Sequence, residues 1–352
     1  VLPGLINSNS LNIHFFNSNK LAMQLFKHAH YYAAVLVAGT FLAGCNKDSR
    51  APQPTKAATT TASTTGEMVM TPAGLMPKSR VHFVEPGTEL RVYNGHIQKI
   101  ESASHRLLQD FGEVSITNDP IHNQTSGTTL DLSRAGDPGV VPKAVNGWAA
   151  YTYWSNTATT KPITSFTTSW TVPAAPSTKS DQTIFLFNGM QDGETASSYI
   201  IQPVLQWGES AAGGGSYWAI TNWYVSSASA FYGTLETVTA GTKLTGVMTE
   251  TGASGSDYNY SSVFTGYPAA CNITVSAVPE AYWAAETLEV YSVKKAAQYP
   301  DATSMAFSSI QILQGTTNAT IKWTAATGVT TALPKAVVNS DASPNGEVTI
   351  DF

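Results

Sequence analysis

From residue 146 to residue 352, short runs rich in Thr, Val, Ile and aromatic residues alternate with clusters of Gly, Pro, Asn, Asp and Ser. No stretch there carries a convincing helical period. β-Branched and aromatic side chains fit a pleated, half-buried surface, and the intervening residues are those that turn a chain. The pattern predicts strands over 148–154, 163–172, 183–188, 199–207, 216–225, 242–249, 283–293, 304–313, 319–324 and 347–352. So many strands in about 200 residues imply one large all-β domain, a sandwich or a barrel.

The chain upstream reads differently. An apolar run over 31–42 follows Lys27, is too short to span a bilayer, and ends in Leu42-Ala43-Gly44-Cys45, which resembles a bacterial lipobox. This makes 1–45 a signal region, with Met23 a more natural start than Val1 and Cys45 the expected lipid-bearing residue. An ordinary secretory signal with an incidental cysteine is the alternative. Residues 46–73 are rich in Ser, Thr, Ala and Pro and read as a flexible tether. Residues 74–145 carry mixed charge and several histidines. Within them 81–92 alternates like a hairpin or strand pair, and 97–111 has a helical look. This segment is a possible propeptide or an N-terminal extension packed on the main domain. The expected location is extracytoplasmic, on a bacterial membrane through the lipid anchor, with release if processing cuts the chain. With Cys45 lipidated, Cys271 has no partner and no internal disulfide is expected.

All seven histidines lie before residue 146, and the last arginine is Arg134. If the β-domain is an enzyme, it works without a Ser–His–Asp triad, a Cys–His dyad, a histidine-bound zinc or an arginine clamp. Carboxylates, amides, hydroxyls and aromatics remain. Charged residues are only 12% of the chain and the net charge is −5. A domain so poor in bases gains little positive charge when acidified, which suits an acidic environment. The lack of a basic patch argues against nucleic acid, and a monomer is expected.

Two strands carry the candidate chemistry. Along 199–208, alternation puts Gln202 and Gln206 on one face with Ile200 and Val204. Pro203 removes a ladder donor, which points to an edge, a bulge or a distorted strand. Along 283–293, Glu286 shares a face with Leu288 and Val290, while Glu289 falls on the other with Thr287 and Tyr291. The two glutamates cannot both face the core of an unbulged strand, so one of them is expected in solvent. Surface glutamines and carboxylates are the plain alternative for both strands.

In chain order, several segments resemble the glutamic peptidases called eqolisins. Asn146-Gly147-Trp148-Ala149-Ala150-Tyr151 is similar to the family's Trp-Ala-Gly-Tyr strand. Phe166-Thr167-Thr168-Ser169-Trp170-Thr171-Val172-Pro173 is similar to its strand ending in Trp-Thr-Val-Pro. Ile200-Ile201-Gln202 resembles the Ile-Leu-Gln strand of the catalytic glutamine, and Asn222-Trp223-Tyr224 the Glu-Trp-Tyr segment. Ala285-Glu286-Thr287-Leu288 resembles the Ala-Glu-Trp-Ile strand of the catalytic glutamate. Tyr299-Pro300-Asp301, followed by β-like sequence over 305–313, resembles the Pro-Asp-Phe segment and the strand after it. The chain departs from the family over 184–190, where Ile184-Phe185-Leu186-Phe187-Asn188-Gly189-Met190 stands for the family's Trp-Val-Gly-Ile-Asp-Gly strand and its tryptophan and aspartate are not matched. It departs also at Pro203, after the glutamine, and at Asn222, where the family has Glu.

The resemblance, over roughly 146–313, implies a concanavalin- or jelly-roll-like sandwich of two large antiparallel sheets over 146–352. It implies hydrolysis of polypeptide substrates in acid by Gln202 and Glu286. Glu286 would be the general base on water and then protonate the leaving amine, with its pKa kept low by hydrogen bonds. The Gln202 amide would donate to the oxyanion. No metal or organic cofactor is called for. Trp207, Trp223 and Tyr224 are candidate walls for a bound peptide. The main rival is a carbohydrate- or cell-wall-binding sandwich lipoprotein without catalysis. A glycosidase with paired carboxylates and a purely structural surface lipoprotein are further alternatives.

Overall fold

The computed structural model describes residues 66–114, 144–156, 161–194 and 197–352. The signal region with Cys45, most of the tether and the stretch 115–143 lie outside the described residues. Two large sheets dominate. In order across the first run Thr324–Thr327, Val145–Ser155, Trp283–Val293, Thr183–Gln191, Tyr199–Ser210, Gly213–Ser226, Ala230–Tyr232 and Val81–Phe83. The second runs Lys335–Ser340, Gly346–Asp351, Ser304–Gln314, Ile163–Thr171, Lys243–Ser254, Asp257–Phe264, Ile273–Val278, Thr88–Tyr93, His96–Glu101 and Leu107–Glu113. The all-β sandwich read from the sequence is the observed fold.

The facing surfaces hold the core. Leu186, Met190, Ile201, Leu205, Tyr224 and Leu288 of the first sheet pack with Phe166, Trp170, Met248, Phe307 and Ile312 of the second. Burial of each such side chain contributes about 1.5–3 kcal/mol relative to exposure. The other face of the first sheet is also apolar. Trp148, Phe185, Phe187, Val204, Trp223, Trp283 and Tyr291 form a separate cluster there. With both faces covered, this sheet's central strands are buried almost from end to end.

Several local expectations change. The stretch 97–111, helical by eye, forms the strands His96–Glu101 and Leu107–Glu113. Its apolar residues happen to fall at helix-like intervals, but a turn over 102–105, with His105 at φ 55°, folds the segment back on itself. The segment 81–92 does give two strands, but they do not pair with each other. Val81–Phe83 joins the first sheet, parallel to Ala230–Tyr232, and Thr88–Tyr93 joins the second, parallel to Ile273–Val278. Two parallel contacts therefore interrupt otherwise antiparallel sheets. Between 319 and 324 no strand forms except at the last residue, where Thr324–Thr327 begins. Asp257–Phe264, Ile273–Val278 and Lys335–Ser340 are strands that the pattern did not mark.

A third, two-stranded sheet pairs Met68–Thr71 with Gly74–Pro77, inside and just after the stretch read as tether. It belongs to neither large sheet. Met76, Met70 and Ala73 pack on the outer cluster of the first sheet.

Candidate functional site

Trp283–Val293 and Tyr199–Ser210 flank Thr183–Gln191 on either side, so the candidate glutamates and glutamines stand two strands apart in the middle of the first sheet. Strand alternation decides which of them can meet. Glu286 pairs with Asn188, next to Ala284↔Met190 and Leu288↔Leu186. Ala284, Met190, Leu288 and Leu186 all belong to the inter-sheet core. Gln202 lies between Ile200 and Val204 on its face, and both of those belong to the outer cluster. Glu286 therefore faces the second sheet and Gln202 faces away from it, with the sheet's backbone between them. The structure does not bring together the pair that the resemblance implies. A bulge at Leu288/Glu289 exists only toward Val145–Ser155; toward Thr183–Gln191 the register runs unbroken, so the alternation holds.

On the inner face the Thr168 hydroxyl, from the second sheet, donates to Glu286 Oε1 at 2.5 Å. Glu286 Oε2, the Thr152 hydroxyl and both amide atoms of Asn188 have no side-chain or backbone partner among the described residues. Burial pushes the Glu286 carboxyl well above its usual value, and the Thr168 bond offsets this only in part. The low pKa expected for a base working in acid is not found. Pro203 and Asn222 continue the same row across the sheet. Pro203 is interior, not at an edge; pairing toward Thr183–Gln191 lapses at Gln202 and Pro203 and resumes in register at Val204↔Phe187. Asn222 donates to the Cys271 carbonyl at 2.8 Å and accepts from Ser262 at 2.6 Å. The row needs a glycine opposite it. A Cβ on Gly246 would lie 2.6 Å from Pro203 Cγ and 2.7 Å from Asn188 Oδ1.

On the outer face stand Gln202, Gln206 and Glu289. Gln202 pairs with Trp223 on one side and falls opposite Gly189 on the other, with Ala285 beyond. It is buried, and neither atom of its amide has a partner among the described residues. An unmade buried hydrogen bond costs about 1–3 kcal/mol, so a buried amide without a protein partner calls for a reason, such as an ordered water or a bound ligand. Gln206 is different: its amide donates to the Gly208 and Gly213 carbonyls, both at 2.8 Å, and accepts from Ser210 at 2.8 Å. It ties down the turn after its own strand.

Glu289 shares a row with Gln206, with Phe185 between them. At two strand spacings their Cα atoms are about 10 Å apart. The expectation that one glutamate lies in solvent fails, because both faces are covered and both residues are buried. The Tyr291 hydroxyl donates to Glu289 Oε1. Burial pushes Glu289 up to about 8, against hydrogen bonds from Tyr291 and Trp148 that favour the charged form. Tyr291 follows Glu289 by two residues, a spacing that marks it as a same-face neighbour, and it was the one partner legible from alternation. Trp148 and Thr168 come from distant strands and were not.

The aromatic candidates divide in the same way. Trp223 lies on the outer face, tilted against Tyr232. Trp207 and Tyr224 point into the inter-sheet core, where Tyr224 stacks on Tyr199, so they cannot wall an outer site. Aromatic rings that do line the outer face beside Ala285 include Trp148, Trp283 and Tyr153, the last two stacked at 5.5 Å. Cys271 is buried, and burial raises its thiol to about 11, which leaves it unreactive. Among the described residues no group of three or more His, Cys, Asp and Glu side chains is placed to hold a metal ion.

No protein-family model matches the chain, and no curated protein matches it. Solved structures similar to it include scytalido-glutamic peptidase with a peptide-based transition-state analogue, at 12% identity and a TM-score of 0.37, covering 60% of this chain and 100% of that one. The same peptidase with a transition-state analogue inhibitor matches at 12% identity and a TM-score of 0.35 over the same shares. SCP-B, a member of the eqolisin family in complex with the tripeptide Ala-Ile-His, matches at 11% identity and a TM-score of 0.37, again over 60% and 100%. These relationships are distant.

Proposed function

We propose that this chain is a glutamic-type peptidase that works on the outer face of the first sheet, with Glu289 rather than Glu286 as its reacting carboxyl. The observation that carries the reading is the division of the two glutamates. Glu286 is enclosed between the sheets, whereas Glu289 lies on the face that also holds the unpartnered Gln202 amide and a floor of small residues, Gly189 and Ala285, among aromatic rings. An extended polypeptide laid on that face finds apolar walls and one free amide for its main chain. Glu289, once ionised, takes a proton from the attacking water and returns it to the leaving amine. As Glu289 takes that proton, the neighbouring Tyr291 hydroxyl, which donates to Glu289 in the resting site, turns its one hydrogen to the developing oxyanion, and it keeps that proton throughout the acid range. The roles differ from those the resemblance implies: Gln202 binds substrate and Glu286 is structural.

A second reading, a polypeptide- or glycan-binding module without hydrolysis, is favoured by the separation of Gln202 from Glu286. The two readings part on one experiment. Hydrolysis of an unfolded protein substrate is followed from about pH 3 to 8, around the reference carboxyl value and the raised one, for the wild type, Glu289→Gln and Glu286→Gln. Cleavage lost only in Glu289→Gln supports the peptidase. No cleavage by any folded form, with substrate still bound, establishes the binding module. The expected membrane attachment through Cys45 is part of the same proposal and is tested by metabolic labelling with a fatty acid.

A further inference from the structure

Part of the outer face, around Ala211 and the Tyr291 ring, is already occupied by this chain. Among the described residues the two strands of the 68–77 hairpin form a ladder only with each other, and the Lys78 amide bonds the Glu67 carbonyl at the hairpin's base. Thr71 and Met76 are buried while Leu75 and Met68 point to solvent. The Met70 carbonyl accepts from the Ala211 amide at 2.8 Å. Gly74 lies against the Tyr291 ring, close enough that a Cβ there would be 3.5 Å from its hydroxyl. That hydroxyl is the one bonded to Glu289. The hairpin thus makes the contacts an extended polypeptide ligand makes: a main-chain hydrogen bond and large apolar side chains set into an apolar face.

We infer that the 68–77 hairpin is an intramolecular occupant of the outer face, and that the vacated face takes an extended polypeptide bearing large apolar side chains. The inference deepens the proposed function and rests on its choice of face. Being covalently attached, the hairpin competes at high effective concentration, so an external polypeptide binds weakly until it lifts. The exposed Lys78–Arg80 turn joins it to the first strand of the sandwich, so it can leave without unpicking either large sheet. Burial is also the largest cause of the raised Glu289 pKa, and lifting Gly74 off the Tyr291 ring bonded to this carboxyl is expected to admit water and favour the ionised form needed for a base.

The test compares the full chain with Met76→Asp, which places a charge in the hairpin's apolar contact. Met76→Ala serves in milder form if the first variant does not fold. Hydrogen exchange at the Ala211 amide reports docking, and a fluorescently labelled, unfolded polypeptide reports binding. In the variant, Ala211 is expected to exchange at least tenfold faster and the polypeptide to bind at least tenfold more tightly. A synthetic peptide of residues 66–78, added in trans, is expected to restore protection and compete with the polypeptide. Continued protection of Ala211, binding equal to wild type with the face open, or failure of the peptide to compete would each overturn the inference. Tighter binding without cleavage sinks the peptidase reading and leaves the inference standing. Cleavage as fast in wild type as in the variant does the reverse.

Discussion

The two faces of the first sheet receive a glutamate each from one strand, three residues apart, and give them opposite fates. On the inner face Glu286 is held by Thr168 and sealed by a second sheet of the same domain. On the outer face Glu289 is held by Tyr291, whose ring lies against Gly74 of a hairpin that belongs to neither large sheet. Both are fully buried and both are pushed toward the neutral form. Burial and pKa therefore fail to tell them apart; what covers them does. A cover that is part of the fold makes a structural residue, and one that can detach without unfolding the domain leaves a site.

The two glutamates are expected to differ most in catalysis. Glu289→Gln is expected to lower peptide hydrolysis at least 100-fold, about 2.7 kcal/mol of transition-state stabilisation, while Glu286→Gln stays within a few-fold of wild type. Steady-state assays on folded variants decide it. Stability should show the converse. Thr168→Val removes the one side-chain donor to Glu286 among the described residues and is expected to cost about 1–3 kcal/mol by urea unfolding, with no change in substrate binding. Gly246→Ala drives a methyl into Pro203 and Asn188 and is expected to cost about 1–3 kcal/mol in the same assay.

The smaller effects concern protons. Each glutamate binds its proton more tightly folded than unfolded, so folding takes protons up and stability falls as pH rises. The stabilisation is complete below the ordinary carboxyl value of 4.5 and is lost through the folded value, about 8 for Glu289. The unfolding free energy measured in urea is expected to decline from about pH 5 to about pH 8 as Glu289 ionises, by at most about 1.4 kcal/mol per pH unit, and Glu286 acts in the same direction. Glu289→Gln should flatten part of that slope. Tyr291→Phe removes a bond that lowers the Glu289 pKa, so the titration should move higher still.

The strands were legible because their composition alternates with turn residues, and Trp283–Val293 was read to the residue. Alternation alone also put Gln202 with Ile200 and Val204, and Glu286 with Leu288 and Val290, as observed. It could not say which face of each strand is which once both are placed in a sheet. That depends on the register through Thr183–Gln191, a partner distant in sequence from both. Without it the motif resemblance joined two residues that the register separates. The covering of the outer face was illegible for a related reason. A four-residue strand such as Met68–Thr71, next to low-complexity sequence, has no period long enough to recognise, and its role lies entirely in what it packs against.

The two glutamates are expected to answer differently when the hairpin is displaced. The most direct measurement is a carbon-detected NMR titration of their side-chain carboxyls in the wild type and in Met76→Asp. The expected result is a Glu289 pKa that falls from about 8 toward 4.5 in the variant, with Glu286 unchanged. A Glu286 that moves together with Glu289, or a Glu289 that does not respond, would contradict it.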